Sequence, residues 1–460
     1  MVKVYIENKI SKVTGAADFR EKLEDALSYR TKGFQFTDAY ARGDWDGRRL
    51  LLWNGVAFPT GLAGLVIETL NREGVEVQVY DQRSVPKRGP ELVFLGEDRP
   101  YQRIEDQCIA ATRGIINFAT GGGKTAVAAR IIAKLDVPTL FIVPTKELLH
   151  QTAEELNRFL GVTVGKIGDK HFDLDYFTVA TIQALFVILK NKNHKRRGLL
   201  EIMMDETDVV FVDEAHHLGA DSFFHVAQAV PAYYKFGLTG TAFRNDNADL
   251  LLRAATGKVI ARVSSSELIR ADILARTKVR MHSFRSTELP DGMEWKDVYY
   301  YGVVWSQPRN ALIRDLATDR IRAGKLVLIM VQRIEHGHIL GAALEREGSV
   351  FVQGRDSSQF RENLRLAFRS GEVRCVIATN IYDEGVDIPA MDTLIIASGG
   401  MSPVKSTQRV GRALRRTSDK TEAEIIDFMD DHHRILRRHA NRRLRTYRSE
   451  PEFDVEVIRG

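Results

Sequence analysis

Residues 118–125 read FATGGGKT and follow a short apolar run, GIINF, at 114–118. Three glycines that lead into a lysine and a threonine are typical of a phosphate-binding loop, because small residues let backbone N–H groups face an anion where a helix begins. Lys124 can then bridge two phosphates, and the Thr125 hydroxyl is placed to ligate Mg²⁺. The usual form of this loop has a glycine where Phe118 stands. Taken alone, the stretch therefore fits either a phosphate loop or a simple turn.

Short apolar runs alternate with helical patterns along most of the chain. Between about residues 100 and 240, the strand candidates TLFIV and DVVFV are separated by amphipathic segments such as KELLHQTAEELNRFL. The alternation starts again after about residue 300, with LVLIMV, VRCVIAT and TLIIAS as strand candidates. Strands that alternate with helices favour a parallel sheet covered on both faces. The sequence therefore predicts an α/β fold with two such lobes in tandem.

Four regions are expected along the chain. Residues 1–92 form a small α+β N-terminal domain, because helix and strand candidates are mixed there before the regular alternation begins. Residues 93–275 and 276–430 form the two α/β lobes, with their junction predicted near residue 275. Residues 431–460 are predicted as a basic C-terminal tail.

The composition is that of an ordinary globular protein, with 44% hydrophobic and 28% charged residues among 460. The net charge is +5, and basic residues cluster at 193–198 and 432–448. These clusters are either solvated helix faces or contacts to a polyanion. Cys108 and Cys375 are too few for a disulfide framework, and no signal peptide or membrane-length apolar run is visible. We therefore expect a cytoplasmic protein, in the host cytoplasm if a phage encodes it.

A second chemical signal is DVVFVDEAHH at 208–217, where an apolar strand candidate ends in Asp213 and Glu214. At the carboxyl end of a parallel strand, both carboxylates reach the crevice in which ligands bind. One acid can hold Mg²⁺ and the other can orient and deprotonate an attacking water. A lone pair of acids could equally cap a helix. The loop and the acids together, in this order, favour nucleotide hydrolysis.

These signals and several others resemble the motifs of superfamily 2 helicases of the DEAH-box type. The matching stretches are, in chain order, RPYQ (99–102), FATGGGKT (118–125), VPTKELLHQ (143–151), ATIQ (180–183), DEAH (213–216), LTGTAFR (238–244), ATNIYDEGVDIP (378–389) and QRVGRALRR (408–416). The resemblance covers roughly residues 95–430 and implies two tandem RecA-like lobes. Helicases of this superfamily often carry another residue at the first loop glycine, so Phe118 does not argue against phosphate binding.

The resemblance implies ATP and Mg²⁺ as cofactors. It assigns nucleotide binding to Gln102, Gly121, Gly122, Gly123, Lys124, Thr125, Gly385 and Asp387, and metal binding to Thr125 and Asp213. It assigns catalysis to Lys124, Asp213, Glu214, Gln408, Arg412 and Arg415, and coupling to His216, Thr239 and Thr241. Gln102 is expected to read the adenine edge, and the two arginines to meet the γ-phosphate. Without the resemblance, the arginines could equally form surface ion pairs.

Nucleic-acid contacts are expected at hydroxyl and amide side chains in both lobes. The motif matches assign this role to Thr145, Thr181, Gln183 and Thr379. Such contacts go mainly to phosphates and are largely independent of base sequence. Within the superfamily, the motif spacing resembles the branch that includes XPB-type and phage UvsW-type helicases. In that branch the N-terminal domain would bind duplex or junction DNA, with Arg42, Arg48 and Arg49 as candidates, unless it is a purely structural cap.

Three functions remain open from the sequence. The first is an ATP-dependent DNA helicase that unwinds forks, D-loops and Holliday junctions and drives branch migration in recombination, repair or replication restart. The second is an ATP-driven translocase that does not separate strands, or an RNA helicase. The third is a catalytically silent nucleic-acid-binding scaffold, against which the intact Lys124, Asp213, Glu214, Arg412 and Arg415 argue. The resemblance implies 3′→5′ polarity and DNA as the main partner.

Overall fold

The computed structural model describes residues 1–31, 33–215, 221–240, 249–379, 391–400 and 422–459. They divide into two compact units. The first contains residues 1–118 and 123–262, and the second contains the residues from 263 onward together with the loop residues 119–122. The sequence pattern predicts the junction near residue 275. The helix between these two positions belongs to the second unit, where Ser266 donates from its backbone and hydroxyl to Glu450 at 3.1 and 2.8 Å.

The first 81 residues form a small mixed α/β module. Its helices and strands are β1 Val2–Ile6, β2 Ile10–Thr14, α1 Arg20–Ala26, β3 Ser28–Arg30, α2 Asp38–Ala41, β4 Arg48–Leu50, β5 Ala57–Pro59, α3 Ala63–Arg72 and β6 Val77–Asp81. Four strands make one sheet in the order β5-β2-β1-β6, and β3 pairs with β4. Apolar side chains from β1, β2, α1 and α3 are buried between them, among them Val4, Leu23 and Leu70.

The main sheet of the first unit has eight strands in the order β10-β9-β11-β8-β12-β13-β7-β14. The elements are α4 Glu105–Ala111, β7 Arg113–Phe118, α5 Lys124–Leu135, β8 Thr139–Val143, α6 Lys146–Leu160, β9 Gly165–Gly168, β10 His171–Phe172, β11 Phe177–Thr181, α7 Ile182–Lys190, α8 Arg197–Glu206, β12 Val209–Val212, α9 Asp221–Ala229, β13 Tyr234–Thr239, α10 Asp249–Thr256 and β14 Val259–Val263. The central strands pair in parallel, and β8, β11 and β12 are buried along their whole length. Continuous apolar runs are what a sheet covered on both faces requires.

The N-terminal module is part of the first unit and packs on the rest of it through α10. Leu251 and Ala254 of this helix join the apolar core of the module. Gly61 allows the module to approach α10 closely, since a Cβ at this position would lie 2.1 Å from the carbonyl oxygen of Arg253. Any side chain at residue 61 would push the module away from α10. The module therefore packs tightly against α10, and its role as a duplex-binding domain or a structural cap stays a prediction.

The second unit holds a seven-stranded sheet in the order β17-β18-β16-β19-β20-β15-β21, in which all the described pairings are parallel. The elements are α11 Ser265–Arg270, β15 Arg276–Ser283, α12 Trp295–Tyr299, α13 Gln307–Arg322, β16 Val327–Met330, α14 Ile334–Ala343, β17 Val350–Val352, α15 Ser358–Ser370, β18 Cys375–Ala378, β19 Thr393–Ile396, β20 Glu422–Met429, α16 Arg434–Arg448 and β21 Phe453–Ile458. A π-helical turn at Tyr300–Val304 continues α12.

Residues 431–460, predicted as a basic tail, contribute a helix and an edge strand to this unit. β21 pairs with β15 from Thr277↔Phe453 to His282↔Ile458. Arg443 of α16 turns inward, is 1% exposed, and donates to both carboxylate oxygens of Asp427 at 2.9 and 3.0 Å. The same guanidinium donates to the carbonyl of Gly400 at 2.6 Å. Part of the basic cluster at 432–448 is therefore structural, whereas Arg438 and Arg445 face solvent.

The predicted fold class is confirmed: two α/β units contain parallel sheets, and a small mixed module precedes them. In the lobes, the strand candidate TLFIV and the helix candidate KELLHQTAEELNRFL coincide with β8 and α6. Within the part of the chain that the structure describes, no helix has the length and apolar character needed to cross a membrane.

Candidate functional site

Three neighbouring strands of the first sheet end at the same edge. β12, β13 and β7 are adjacent and parallel, so their carboxyl ends lie side by side. β7 leads into the glycine loop, β12 leads into Asp213 and Glu214, and β13 ends at Thr239, which is fully buried. Crevices outside the carboxyl ends of parallel strands are the usual ligand sites of such sheets. The sheet topology therefore places these predicted site residues at one edge.

Lys124, Asp213 and Glu214 form a compact cluster at this edge. The Lys124 ammonium donates to Oε1 of Glu214 at 2.7 Å and lies 3.3 Å from Oδ1 of Asp213. The three side chains are between 11% and 21% exposed. Glu214 has a φ of +45°, which is unusual for a residue with a side chain, and its backbone N–H donates to Oδ1 of Asp213 at 2.9 Å. Strained backbone of this kind is concentrated at functional sites.

Electrostatics in the cluster keeps the lysine charged. Burial alone would lower the pKa of Lys124, but the neighbouring carboxylates of Asp213 and Glu214 outweigh burial and raise it. Burial raises the pKa of Asp213, and Glu214 adds to this effect, whereas Lys124 opposes it. The two acids thus depend on a cation at this position. A bound metal ion could supply that charge if the lysine turned toward a phosphate.

The glycine loop has the backbone that a phosphate cradle needs. Gly121 and Gly123 have φ values of +91° and +85°, in the region that favours glycine. α5 begins directly at Lys124, so the positive end of a helix of 12 residues faces the loop. A Cβ on Gly123 would lie 2.5 Å from Nε2 of Gln102. The predicted adenine-reading residue is therefore adjacent to the loop, and it is 2% exposed.

A cleft of about 470 Å³ opens beside these residues. Gln102, Gly123 and Thr125 line it from the predicted motifs. Arg99 belongs to the RPYQ stretch but was assigned no role, and Phe94, Arg158 and Phe159 lie outside the motifs. Phe94 and Phe159 stack with ring centroids 5.5 Å apart. Glu97 and Glu155 also line the cleft, and Glu97 pairs with Arg99 at 2.6 Å. The cleft therefore offers an amide and aromatic rings, which suits a nucleotide base.

We expect Gly123→Ala to raise the KM for ATP roughly tenfold. The new Cβ would meet Gln102, and a left-handed backbone conformation costs an L residue about 1–2 kcal/mol. A cost of about 1.4 kcal/mol corresponds to a factor of ten in binding. Gly64→Ala is the matched control, because no atom lies within 4 Å of its Cβ position. An unchanged KM in Gly123→Ala would show that this loop does not contact the nucleotide.

A second cleft, of about 560 Å³, gathers three of the predicted nucleic-acid contacts. Thr145, Thr181 and Gln183 all line it. Thr145 and Thr181 are the N-caps of α6 and α7, and each hydroxyl accepts a backbone N–H at 3.3 Å. Two helix N-termini therefore begin at the wall of this cleft. Helix N-termini and their free N–H groups favour phosphate.

Basic side chains that sequence analysis did not single out one by one surround the same cleft. They are Lys146, Lys170, His171, His194 and Arg196. Lys170 and His171 come from the β9–β10 hairpin, and Arg196 comes from the basic cluster at 193–198 and lies over the ring of Phe172. Asp169 and Glu147 are the acids of the lining, and hydrogen bonds from His150 and Lys146 lower the pKa of Asp169. Two lysines and one arginine against these two acids leave the cleft with a small net positive charge, which favours a phosphodiester backbone.

Thr379, the predicted nucleic-acid contact of the second lobe, lies at the carboxyl end of β18 and is 8% exposed. Thr379 therefore lies at the edge of the second sheet where the carboxyl ends of its strands meet. In the first sheet, the corresponding edge carries Lys124, Asp213 and Glu214. The predicted residues His216, Thr241, Gly385, Asp387, Gln408, Arg412 and Arg415 lie outside the described residues. Their roles stay predictions.

Two of the arginines predicted for the N-terminal module, Arg42 and Arg48, have partners within it. Arg42 donates to Asp44 at 2.8 Å. Arg48 pairs with Asp25 and donates to the hydroxyl of Ser28 at 2.6 Å. Arg48 therefore holds β4 to the α1–β3 region, and duplex binding by Arg42, Arg48 and Arg49 stays a prediction.

Two family models match the chain. Residues 98–244 match the type III restriction enzyme res subunit, and residues 309–417 match the helicase conserved C-terminal domain. The first match covers the glycine loop and the two acids. The second covers Thr379 and the stretch QRVGRALRR.

Two curated proteins are similar over most of the chain. The DNA 3′-5′ translocase XPB2 of Sulfurisphaera tokodaii is 26% identical over 436 residues, which is 86% of this chain and 95% of that protein. The ATP-dependent DNA helicase uvsW of Enterobacteria phage T4 is 21% identical over 447 residues, which is 89% of this chain and 86% of that protein.

Solved structures support the fold. A fragment of an HsdR subunit of a type I restriction enzyme from Vibrio vulnificus superposes with a TM-score of 0.59 at 19% identity. The superposition covers 80% of this chain and 69% of that one. At this identity the likeness speaks for the shared arrangement of strands and helices alone.

Proposed function

The chain belongs to superfamily 2 of the helicases and is related to the XPB and UvsW proteins, and from this premise we propose that it uses ATP hydrolysis to move along DNA and unwind branched DNA. The substrates in this proposal are forks, D-loops and Holliday junctions, and the outcome is branch migration in recombination, repair or replication restart. One observation carries the catalytic part: Lys124 of the glycine loop contacts both acids of the DEAH stretch.

The residues at the site edge fit ATP and Mg²⁺. Gly123 leaves a space that a Cβ would fill, the first turn of α5 faces the loop, and the Thr125 hydroxyl lines the adjoining cleft. We propose that Gln102 binds the adenine edge, that Lys124 leaves the carboxylates for the phosphates, and that Thr125 and Asp213 hold Mg²⁺. A metal ion held by Thr125 and Asp213 would supply positive charge that neutralises the phosphates.

Glu214 is then the group that orients the attacking water and accepts its proton. Its carboxylate lies beside Lys124 and Asp213, and its strained backbone holds it at the end of β12. A carboxylate at this position can accept a proton as the water attacks the γ-phosphate. In the same proposal, Gln408, Arg412 and Arg415 complete catalysis at the γ-phosphate, Gly385 and Asp387 contact the nucleotide, and His216, Thr239 and Thr241 transmit hydrolysis to the nucleic acid.

We propose that one DNA strand binds in the cationic cleft of the first unit. Thr145, Thr181 and Gln183 line it, two helix N-termini begin at it, and five basic side chains surround it. Contacts of this kind go to phosphates, so binding is largely independent of base sequence. Thr379 is proposed as the corresponding contact in the second unit.

DNA is favoured over RNA because the two curated relatives described above are named for action on DNA. The name of the Sulfurisphaera protein, a DNA 3′-5′ translocase, supports 3′→5′ movement as part of the proposal. A second candidate is translocation without strand separation. It is favoured by the name of the Sulfurisphaera protein, which is a translocase.

Strand release from a set of labelled substrates tests the proposal. We expect ATP-dependent release from forked DNA and from a four-way junction, and little release from an RNA fork of the same sequence. A non-hydrolysable ATP analogue should give none. ATPase stimulation by DNA with no strand release would favour the translocase, and release from the RNA fork alone would overturn the assignment to DNA.

A further inference from the structure

Five aromatic residues lie within the eleven residues 295–305 of the second unit. They are Trp295, Tyr299, Tyr300, Tyr301 and Trp305. Tyr299 is buried, and it packs with Val298, Val303, Val304 and Leu436 in a small core. Tyr301 and Trp305, in contrast, are 54% and 42% exposed. Trp295 is also 42% exposed, so this small core leaves three large aromatic side chains facing solvent.

Three of these rings contact one another and form what we call the aromatic shelf, defined as Tyr300, Tyr301 and Trp305. The ring of Trp305 lies 4.9 Å from that of Tyr300 and 5.2 Å from that of Tyr301. The Trp305 indole N–H donates to Glu335 at 2.7 Å, which fixes the ring. The shelf is built on a π-helical turn, a rare structure that is frequent at functional sites.

The shelf lies near the edge of the second sheet where Thr379 is found. Glu335, which holds Trp305, is in the first turn of α14, and this helix follows β16. β16 pairs with β18 in parallel up to Met330↔Ala378. The next residue of β16 donates its N–H to the carbonyl of Ala378 at 2.9 Å. Thr379 and Glu335, the residue that holds Trp305 of the shelf, thus follow adjacent strands.

One positive and one negative charge flank the shelf, those of Arg333 and Glu335. Arg333 is exposed and lies over the rings of Tyr299 and Tyr300, at 5.9 and 5.7 Å. Trp295 begins α12, the helix that continues into the shelf, and its ring contacts His439 of the arginine-rich helix α16 at 4.8 Å. Surfaces that bind single-stranded nucleic acid combine aromatic platforms with basic side chains that follow the backbone.

We propose that the aromatic shelf stacks on an unpaired base of a DNA strand whose backbone is held by Thr379 and by Arg333. The inference rests on the proposed function, and it adds a base-stacking site that the helicase motifs do not include. Arg333 supplies positive charge beside the stacked base, and Glu335 keeps the indole in place. Every base has a π-face, so such a site would accept any base.

Substitutions at Tyr301 test this site, since its ring is the most exposed of the shelf. We expect Tyr301→Leu to weaken binding to a single-stranded oligonucleotide roughly 5- to 100-fold, and Tyr301→Phe to bind as the wild type does. A fully abasic oligonucleotide of the same length should bind the wild type and Tyr301→Leu equally. Phe360→Leu, an exposed aromatic residue on α15 of the same unit, is the matched control.

Two outcomes would overturn the stacking site. Equal weakening on normal and abasic DNA would show that Tyr301→Leu perturbs the backbone contact or the fold, and unchanged binding to both would assign the shelf to another role, such as docking of a protein. Quenching of Trp305 fluorescence gives an independent reading, because Trp305→Phe should remove the quenching that DNA causes in the wild type. If the wild type itself neither binds DNA nor hydrolyses ATP in its presence, the proposed function is wrong. A failure of the stacking site alone is distinguishable, because the wild type then still binds DNA and hydrolyses ATP.

Discussion

Lys124→Ala is expected to lower DNA-stimulated ATP hydrolysis roughly 100-fold or more while leaving DNA binding close to that of the wild type. The ammonium group is the cation that the loop offers to the phosphates, and nothing in an alanine can replace it. In the free protein the same group balances Asp213 and Glu214, so its loss leaves two partly buried acids side by side. Phosphate release and DNA affinity, measured on the same preparation, check the prediction.

Lys134→Ala is the matched control for this variant. Lys134 lies on the same helix, and its ion pair with Asp106 at 2.7 Å is near the surface. Surface pairs contribute about 0–1 kcal/mol, so ATP hydrolysis and folding should stay as in the wild type. Thermal melting of Lys124→Ala shows whether its loss of activity is a loss of fold. Full turnover in a folded Lys124→Ala would refute the assignment of the glycine loop to phosphate binding.

Glu214→Gln is expected to bind ATP with nearly unchanged affinity and to hydrolyse it roughly 100- to 10,000-fold more slowly. The amide keeps the shape of the side chain and can still contact Lys124, but it cannot accept the proton of the attacking water. Single-turnover hydrolysis and the affinity for a labelled ATP analogue separate the chemical step from binding.

Glu206→Gln provides the comparison, because this exposed acid at the end of α8 precedes the same strand without reaching the site edge. We expect Glu206→Gln to leave both the rate of hydrolysis and the affinity for the ATP analogue unchanged. Normal turnover in Glu214→Gln would mean that another group takes the proton. A loss of ATP binding would instead indicate that Glu214 is needed for the structure of the site.

The sequence predicted the centres of both sheets well, for a physical reason. Strands such as β8 and β12 are buried on both faces and therefore appear as continuous apolar runs. The ends of α6 are also set by residues next to them in the sequence. Thr145 caps its start, and Gly161, with a φ of +66°, ends it. The sequence also predicted that Lys124, Asp213 and Glu214 lie at one edge of the first sheet, since each comes directly after a strand or its loop.

Other features depended on contacts between distant segments, and local patterns do not record these. The sequence pattern gives no strand candidate between about residues 245 and 300, yet β15 lies there between β20 and β21, with charged residues alternating along it. Phe94 and Phe159 line one cleft although 65 residues separate them, and neither belongs to a motif. In the sequence, Arg443 cannot be told from the surface arginines around it. Only the fold shows that it is buried and donates to Asp427 and Gly400.

ATP-driven displacement of a third strand from duplex DNA tests the central claim most directly, because it reports movement along DNA without requiring strand separation. The wild type should displace a triplex-forming oligonucleotide only when ATP is hydrolysed, and Lys124→Ala and Glu214→Gln should leave it bound. Displacement by either variant at the wild-type rate would contradict the claim that hydrolysis at this cluster of one lysine and two acids drives the motion.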